Sequence, residues 1–396
     1  MKKIISILAA LATVICANAQ KPRDVYYTVE KNQYIYVYNG NTGANYKLDT
    51  YGAKAFNIGI DSDHNVYVLV GAWDVHKGLY HNFVVYKNGK PYQTFTEEGN
   101  QFYSSMAMKV VGNNVVVAGV ESKRFNSKGF EARMVGYVNK VRVYQTDWER
   151  KSLKRDQFKG FCTITGSGSK TNVAPANNFN SIVENDTDSR VYYIAAVDYV
   201  DGYIYTTGWG EREYTETPIG YQKQYLVRRC PRVWKNGKQI VQQYENRTGA
   251  AWTINVMRDG QNILTSGHQR DQICGWDGNK DMITDNTKDN QIKREAVIYN
   301  GMLDGAPMFT RMFRDQECGL FYVNNHKDGN QKPIYINAGK CADVVALGDD
   351  FYVLNITHSR VIKYSSSNWL RENYSVEFTC SVSSDVSYAS LLAVGN

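Results

Sequence analysis

One unit recurs along this chain, and it limits the fold more than any other feature. It consists of an apolar strand A, a short polar turn, a strand B ending in a small residue, a variable connection, and an outer hairpin of strands C and D. The clearest copy covers 56–95. Strand A is 56–60, Asp61-Ser62-Asp63-His64-Asn65 is the turn, and strand B is 66–70, closed by Gly71. Strand C is 83–86, Lys87-Asn88-Gly89-Lys90 is a hairpin turn, and strand D is 92–95. Asn-Gly supplies the positive φ angles that a tight hairpin needs.

Four further copies follow. Their A and B strands fall at 106–111 and 115–119, 193–197 and 203–208, 252–257 and 263–267, and 344–347 and 351–356. Their outer hairpins are read at 133–144, at 233–238, at 296–301 around Asn300-Gly301, and at 360–378. The chain ends supply a sixth copy. Residues 391–396 match the end of strand A and its turn, 24–29 match strand B, 34–38 read as C and 46–48 as D. A four-stranded unit divided between the two ends is how a ring of sheets closes and hides its strand edges. The expected fold is therefore an all-β, six-bladed β-propeller. Its blades are four-stranded and antiparallel, and the C-terminal strand A joins N-terminal strands B to D.

The outer hairpins at Tyr86-Lys87-Asn88-Gly89 and Trp234-Lys235-Asn236-Gly237 read as an aromatic followed by Lys-Asn-Gly. This pattern resembles the six-bladed propellers of exported envelope proteins from Bacteroidota-like bacteria. The resemblance covers almost the whole chain after the first residues. It implies a fold and leaves function open, because propellers host binders, scaffolds and enzymes alike.

Residues 1–19 read as an export signal: Lys2 and Lys3, an apolar stretch over 4–16, and Ala17-Asn18-Ala19 as a cleavage site. Residues 20–396 then form one propeller domain that is periplasmic, secreted or on the outer surface. No later stretch is apolar and long enough for a transmembrane helix. Six cysteines follow the signal: Cys162, Cys230, Cys274, Cys318, Cys341 and Cys380. In an exported chain they are disulfide candidates. Loop proximity suggests Cys162 with Cys230, Cys274 with Cys318, and Cys341 with Cys380. The formal charge is +7, and Lys and Arg are scattered, so nucleic acid is not an expected partner.

A–B and C–D turns share one face of a propeller, and B–C and D–A connections share the other. Here the first set is short. The second holds insertions at about 146–191, 209–229, 268–295 and 314–340. The expectation is high walls on the first four blades, a low rim on the last two, and all six cysteines on this face. Just after strand B, successive blades place Trp73, Asp74 and His76, then Glu121 and Arg124, then Trp209, Glu211 and Arg212, then His268 and Arg270, then His358 and Arg360. These are the candidate ligand-binding residues. Trp73 and Trp209 would stack on a ligand, and the polar groups would anchor it.

No G-x-S-x-G, H-E-x-x-H or Cys-His catalytic signature occurs, so no catalytic residue is assigned and the reading leans away from an enzyme. The acidic run from Asp271 to Asp281 has some of the spacing of a metal loop but lacks the later Glu of an EF-hand. No cofactor is predicted. If the chain holds a metal, Ca2+ is the candidate ion, with Asn57, Asn255 and Asp343 on the inner strands as donors. The leading expectation is a non-catalytic envelope binder of a glycan or a peptide or protein. The alternatives are a metal-dependent hydrolase or lyase acting on a carbohydrate or lactone, and a scaffold in an envelope complex. Oligomeric state is not legible here.

Overall fold

The computed structural model describes residues 23–74, 79–126, 129–150, 192–216, 224–242, 249–257, 262–269, 272–285, 297–303, 306–311, 317–322, 333–347, 350–368, 373–381 and 389–395, with side chains described over a narrower set. The chain opens with β1 (Val25–Lys31), β2 (Tyr34–Asn39) and β3 (Asn45–Lys47). The next blade is β4 (Ala53–Ile60), β5 (Val66–Asp74), β6 (Leu79–Lys87) and β7 (Lys90–Phe95). Then come β8 (Gln101–Val111), β9 (Asn114–Asn126), β10 (Gly129–Val138), β11 (Val141–Gln145) and the short β12 (Glu149–Arg150). The following blade is β13 (Tyr192–Val200), β14 (Tyr203–Glu216), β15 (Gln224–Lys235) and β16 (Lys238–Gln242). After it come β17 (Gly249–Val256), β18 (Ile263–Gln269), β19 (Gln272–Asp277) and β20 (Lys280–Asp285). The chain continues through β21 (Val297–Leu303), β22 (Ala306–Arg311), β23 (Glu317–Tyr322) and β24 (Pro333–Leu347). It ends with β25 (Asp350–Asn355), β26 (Arg360–Asn368), β27 (Asn373–Ser381) and β28 (Ala389–Val394).

These strands form six hydrogen-bonded sheets. The innermost strands touch in a closed cycle, β28 to β4, β8, β13, β17, β21, β24 and back to β28. The fold is the expected β-propeller, and its ring closes as expected. The last strand, β28, pairs antiparallel with β1, from Val25 opposite Val394 to Val29 opposite Ala389, in a sheet ordered β28-β1-β2-β3. One sheet gains the short β12 alongside β10 as a fifth strand, and another departs further from the four-strand unit. It runs from β21 to β27, and its seven strands form two four-stranded arcs that share β24. The first half of β24 pairs with β23 and the second half with β25, so this sheet gives the ring two innermost strands, β21 and β24.

The outer hairpin of the fourth blade needs correcting. It is β19 and β20, turning at Gly278, rather than residues 296–301. Asn300 and Gly301 lie inside β21, paired with Phe309 and Met308. The Asn-Gly pair carried a turn signal, and strand pairing with β22 overrides it.

Every innermost strand carries a β-bulge at the same level. The extra residues are Phe56, Ser104, Ala195, Trp252, Ile298, Ala342 and Ser390. A bulge re-aims the side chain that follows it and steepens the local twist. It also leaves no room opposite. Gly208 pairs with Ile194 beside the bulged Ala195, and a Cβ there would lie 1.8 Å from the Tyr193 carbonyl oxygen. Gly267 sits in the same relation to Trp252, with the Ala250 oxygen 2.0 Å from its would-be Cβ. The small residue that closes strand B thus has a steric cause in these two blades.

The asparagines of the C–D turns have a second role. Asn88, Asn139 and Asn236 each use the side-chain oxygen to accept an N–H at the start of strand B, from Val66, Val115 and Ile204, at 2.8, 2.9 and 2.9 Å. Each asparagine adopts a positive φ to do so. Asp277 plays this part for Ile263 at 3.1 Å. The core lies between blades. One apolar cluster joins Tyr67, Leu69, Phe83 and Phe95 of one blade to Met106, Met108, Val117 and Tyr137 of the next.

Gly208→Ala forces a methyl group into the bulged strand. It should lower stability by about 1–3 kcal/mol, the usual cost of overpacking, read as a lower urea midpoint at unchanged slope. A midpoint equal to that of the wild type would refute the steric reading.

Candidate functional site

The B–C connections differ sharply around the ring. In the first blade β5 and β6 stay paired out to Asp74 opposite Leu79. In the second, β9 and β10 stay paired out to Asn126 opposite Gly129. In the third, β14 and β15 run without a register shift out to Glu216 opposite Gln224. The inner strand of that blade stops pairing at Gly210, so residues 211–216 and 224–229 form a two-stranded ribbon beyond the disc. At about 3.3 Å per residue the ribbon is about 20 Å long. Three connections are tight: Gln269 opposite Gln272, Asn355 opposite Arg360, and Lys31 opposite Tyr34. The expected insertions at 209–229 and 268–295 are therefore largely strand. The walls rise on three blades, and the fourth joins the low side. Of the remaining insertions, 314–340 contains β23 and the first half of β24, and all of 151–191 lies outside the described residues.

Among the candidate residues, Glu121 is buried at 6 % exposure. It accepts a hydrogen bond from Arg133 Nε at 2.5 Å and lies 3.5 Å from Arg142 Nη2. Arg142 also donates to the Tyr137 hydroxyl at 2.6 Å, and that hydroxyl meets the Tyr103 hydroxyl at 3.2 Å. Trp148 lies against this network, with Arg133 and Lys123 at 4.4 and 4.2 Å from its ring centroid. Glu121 thus anchors the base of the second wall. Trp209 does not face solvent. It is 2 % exposed, stacked on Tyr193 at 6.0 Å and 7°, and packed with Ala250 and Trp252. That corrects its expected stacking role, because Tyr193 of its own blade and Trp252 of the next cover it.

His358 and Arg360 are exposed at a tight turn, where Asn355 accepts the His358 N–H at 2.7 Å. Trp73 and Asp74 lie on the first ribbon, Arg124 on the second, Glu211 and Arg212 on the third, and His268 on β18. Their side chains lie outside the described set, as do residues His76 and Arg270 altogether.

The expected channel donors are engaged elsewhere. Asn57 Oδ1 accepts the Met108 N–H of the next blade at 2.9 Å. Asp343 accepts the Leu392 N–H at 2.8 Å and its neighbour Val344's N–H at 2.8 Å. Asn57 and Asp343 each follow the bulge directly, but Asn255 lies two residues further along β17. The three are therefore on two levels and do not form one ring of donors. Sequence reasoning missed the residues that share this clasping role. Ser105 Oγ accepts the Ile194 N–H at 3.0 Å. Asp198 accepts the Val256 N–H at 2.7 Å and pairs with Lys109 Nζ at 2.6 Å. Glu30 accepts the Ala55 N–H at 3.2 Å. Within the acidic run, residues 272–281 belong to a hairpin whose Asp277 bonds the Asn262 side chain at 2.6 Å and caps β18. Asp61 is likewise used within its own turn. Burial pushes its carboxyl up, but hydrogen bonds from Asn65, Tyr67 and Asp63 outweigh this and hold it below the usual range.

The cysteine pairing needs a correction too. Cys341 lies on β24 opposite Asn355, and Cys380 lies on β27 opposite Val361. Three strand spacings of about 4.8 Å separate β24 from β27, beyond the reach of a disulfide. Cys380 is a free thiol packed on Gly40, and burial pushes it up to about 11. Cys230 and Cys274 are buried, Cys162 lies outside the described residues, and the Cys318 side chain lies outside the described set.

No protein-family model matches this chain, and no curated protein matches it. Solved structures do. A periplasmic gluconolactonase of Pseudomonas aeruginosa is 11% identical, with a TM-score of 0.47 over 94% of this chain and 99% of its own. A protein from Lactobacillus plantarum is 11% identical, with a TM-score of 0.46 over 95% and 100%. BamB from Moraxella catarrhalis is 9% identical, with a TM-score of 0.39 over 85% and 89%. These are likenesses of fold.

Two outcomes are expected. Burial raises the Asp343 carboxyl to about 7, against the lowering pull of the Leu392 and Val344 amides. The unfolded group titrates near 4. The folded state therefore holds the proton longer, and this site's contribution to stability is lost as pH rises from about 4 to about 7. Asp343→Asn removes that slope. Urea unfolding across this range should show the variant gaining on the wild type up to pH 7 and no further. A gap that stays constant would overturn the assignment. In a non-reducing peptide map, Cys341 and Cys380 should never appear in one cross-linked peptide; such a peptide would contradict the strand order.

Proposed function

We propose that this chain is a non-catalytic, ligand-binding propeller of the bacterial cell envelope that recognises a glycan or a peptide or protein on the face bearing the B–C connections. The observation that carries this reading is the asymmetry of that face. Three consecutive blades extend their B and C strands past the disc, up to the ribbon ending at Glu216 and Gln224, while three other connections turn tightly. An isolated two-stranded ribbon is marginal in water. A chain that builds a wall of them beside a low rim makes an open-sided cleft, which is a form suited to an extended ligand.

The hydrolase alternative draws less support, because Asn57 and Asp343 already serve as acceptors for backbone N–H groups. The scaffold alternative, with the outer strands as contact surface, meets bulges on β7, β11, β16, β20 and β27. Bulges of this kind discourage edge-to-edge pairing. The export signal read at 1–19 supports the envelope assignment, and no helix among the described residues is long and apolar enough to cross a membrane.

The test is a variant in which residues 211–229 are replaced by Asn-Gly. It should keep the wild-type urea midpoint within about 1 kcal/mol, because the four-stranded blade ends below the cut. Its binding on a glycan array, or its capture of envelope proteins, should fall at least tenfold. Wild-type binding in the trimmed protein would remove the ribbon from the site.

A further inference from the structure

We infer that Tyr34, Tyr51 and Lys47 form a stacking platform for the pyranose ring of a glycan on the low rim of this same face; the inference rests on the ligand-binding reading above. Tyr51 is 66 % exposed, more than any other large hydrophobic side chain among the described residues. It meets Tyr34 edge to face, with centroids 5.5 Å apart at 68°. Lys47 Nζ sits 4.1 Å from the Tyr34 ring centroid. Tyr34 follows the B–C turn of the closing sheet, and Tyr51 lies in the D–A connection to β4. Both connections are therefore at the end of the disc that carries the ribbons, next to the first of them.

The loop that presents Tyr51 is held from several sides. The Leu48 N–H donates to the Ile35 carbonyl at 2.8 Å, and the Gly52 N–H donates to the Gln33 carbonyl at 2.9 Å. The Tyr86 hydroxyl of the next blade donates to the Asp49 carbonyl at 3.2 Å. Gly52 takes a φ of +68°, which aims the chain back into β4. Leu48 is fully buried as the foot of the loop. Beside Tyr51, the Thr50 hydroxyl is shielded from solvent and has no hydrogen-bond partner. The chain thus accepts an unsatisfied hydroxyl in a pinned loop while keeping a large aromatic ring in water. Folding stability explains neither feature, since exposing a tyrosine ring forgoes its burial.

The chemistry fits a sugar ring. One face of a pyranose is lined by C–H groups that pack on an aromatic ring, and its rim carries hydroxyls. Tyr51 offers the ring, Tyr34 supports it edge-on, and the exposed Lys47 ammonium can donate to a ring hydroxyl or to a uronate or sulfate on the same sugar. A rigid aromatic with a fixed neighbour binds at little ordering cost.

The experiment is affinity electrophoresis of the full-length protein through gels containing dextran, xylan, galactomannan, alginate or chondroitin sulfate, with Tyr51→Ala, Tyr34→Ala and Tyr51→Phe run alongside. At least one polysaccharide should retard the wild type and Tyr51→Phe. The two alanine variants should lose about tenfold in affinity, the scale of one stacked ring, with their urea midpoints unchanged for Tyr51→Ala. Retardation that survives in both alanine variants would overturn the platform and leave the ribbon face standing. A wild type retarded by none of the five would also overturn it. In that case, ribbon-dependent capture of an envelope protein would keep the broader binding reading alive, and its absence would end both.

Discussion

The ring depends on how its inner edges are satisfied. The innermost strand of each blade has N–H groups that point away from its own sheet, and an unpaired buried N–H costs as much as a lost hydrogen bond. At five innermost strands the preceding blade supplies the acceptor. Glu30 serves Ala55, Asn57 serves Met108, Ser105 serves Ile194, Asp198 serves Val256, and Asp343 serves Leu392. Every one of these bonds runs in the same sense around the ring. The acceptors differ in chemistry, from hydroxyl to amide to carboxylate, so the requirement is geometric. Four of the five place an oxygen on a short stem on the innermost strand, at the level of the bulge or just past it, and Glu30 reaches over from β1 on a longer stem.

The bulge makes that geometry. One extra residue in each innermost strand turns the next side chain out of the alternation of its sheet, so Asn57, Ser105 and Asp343 reach the neighbouring blade. The same device on the outer strands has another consequence. Val143 and Ile240, among the exposed apolar side chains, are the bulged residues of β11 and β16. Their exposure follows from the bulge that protects the edge and calls for no binding partner. This is why Tyr51, which lies in a pinned loop and not at a bulge, carries a functional argument and Val143 does not.

Much of the fold was legible because its signals are local. Apolar alternation marks strands, and the Asn-Gly turns mark hairpins whose asparagines cap strand B. The divided copy at the two ends was readable because β28 and β1 together spell one blade. The β21–β24 arc was not read, since Asn300-Gly301 looks like the turns at Asn88-Gly89 and Asn236-Gly237 yet sits within a strand. Trp276-Asp277-Gly278 held the true signal, an aromatic followed by an Asx and a glycine. The site was less legible. Whether a tryptophan after strand B faces ligand or the next blade depends on what the neighbour presents, and for Trp209 the neighbour presents Trp252. Asn57 and Asp343 looked like channel donors because sequence gives residue type, while their use depends on an N–H in another blade. Tyr34 and Tyr51 carry no motif. Only the pinned loop separates Tyr51 from the other tyrosines of a tyrosine-rich chain.

The seam between β28 and β1 also has a mechanical character. Val25 faces Val394 at one end of the pairing, and Val29 faces Ala389 at the other. The chain ahead of Val25 and the chain beyond Val394 therefore leave the ring at the same end of the seam. A pull on both loads one residue pair at a time, like opening a zip, instead of shearing all of them together. The Gly395 N–H bond to the Asp24 carbonyl is the first to take that load. A pull on the two ends is therefore concentrated at this one seam, while the other blades stay out of the line of force.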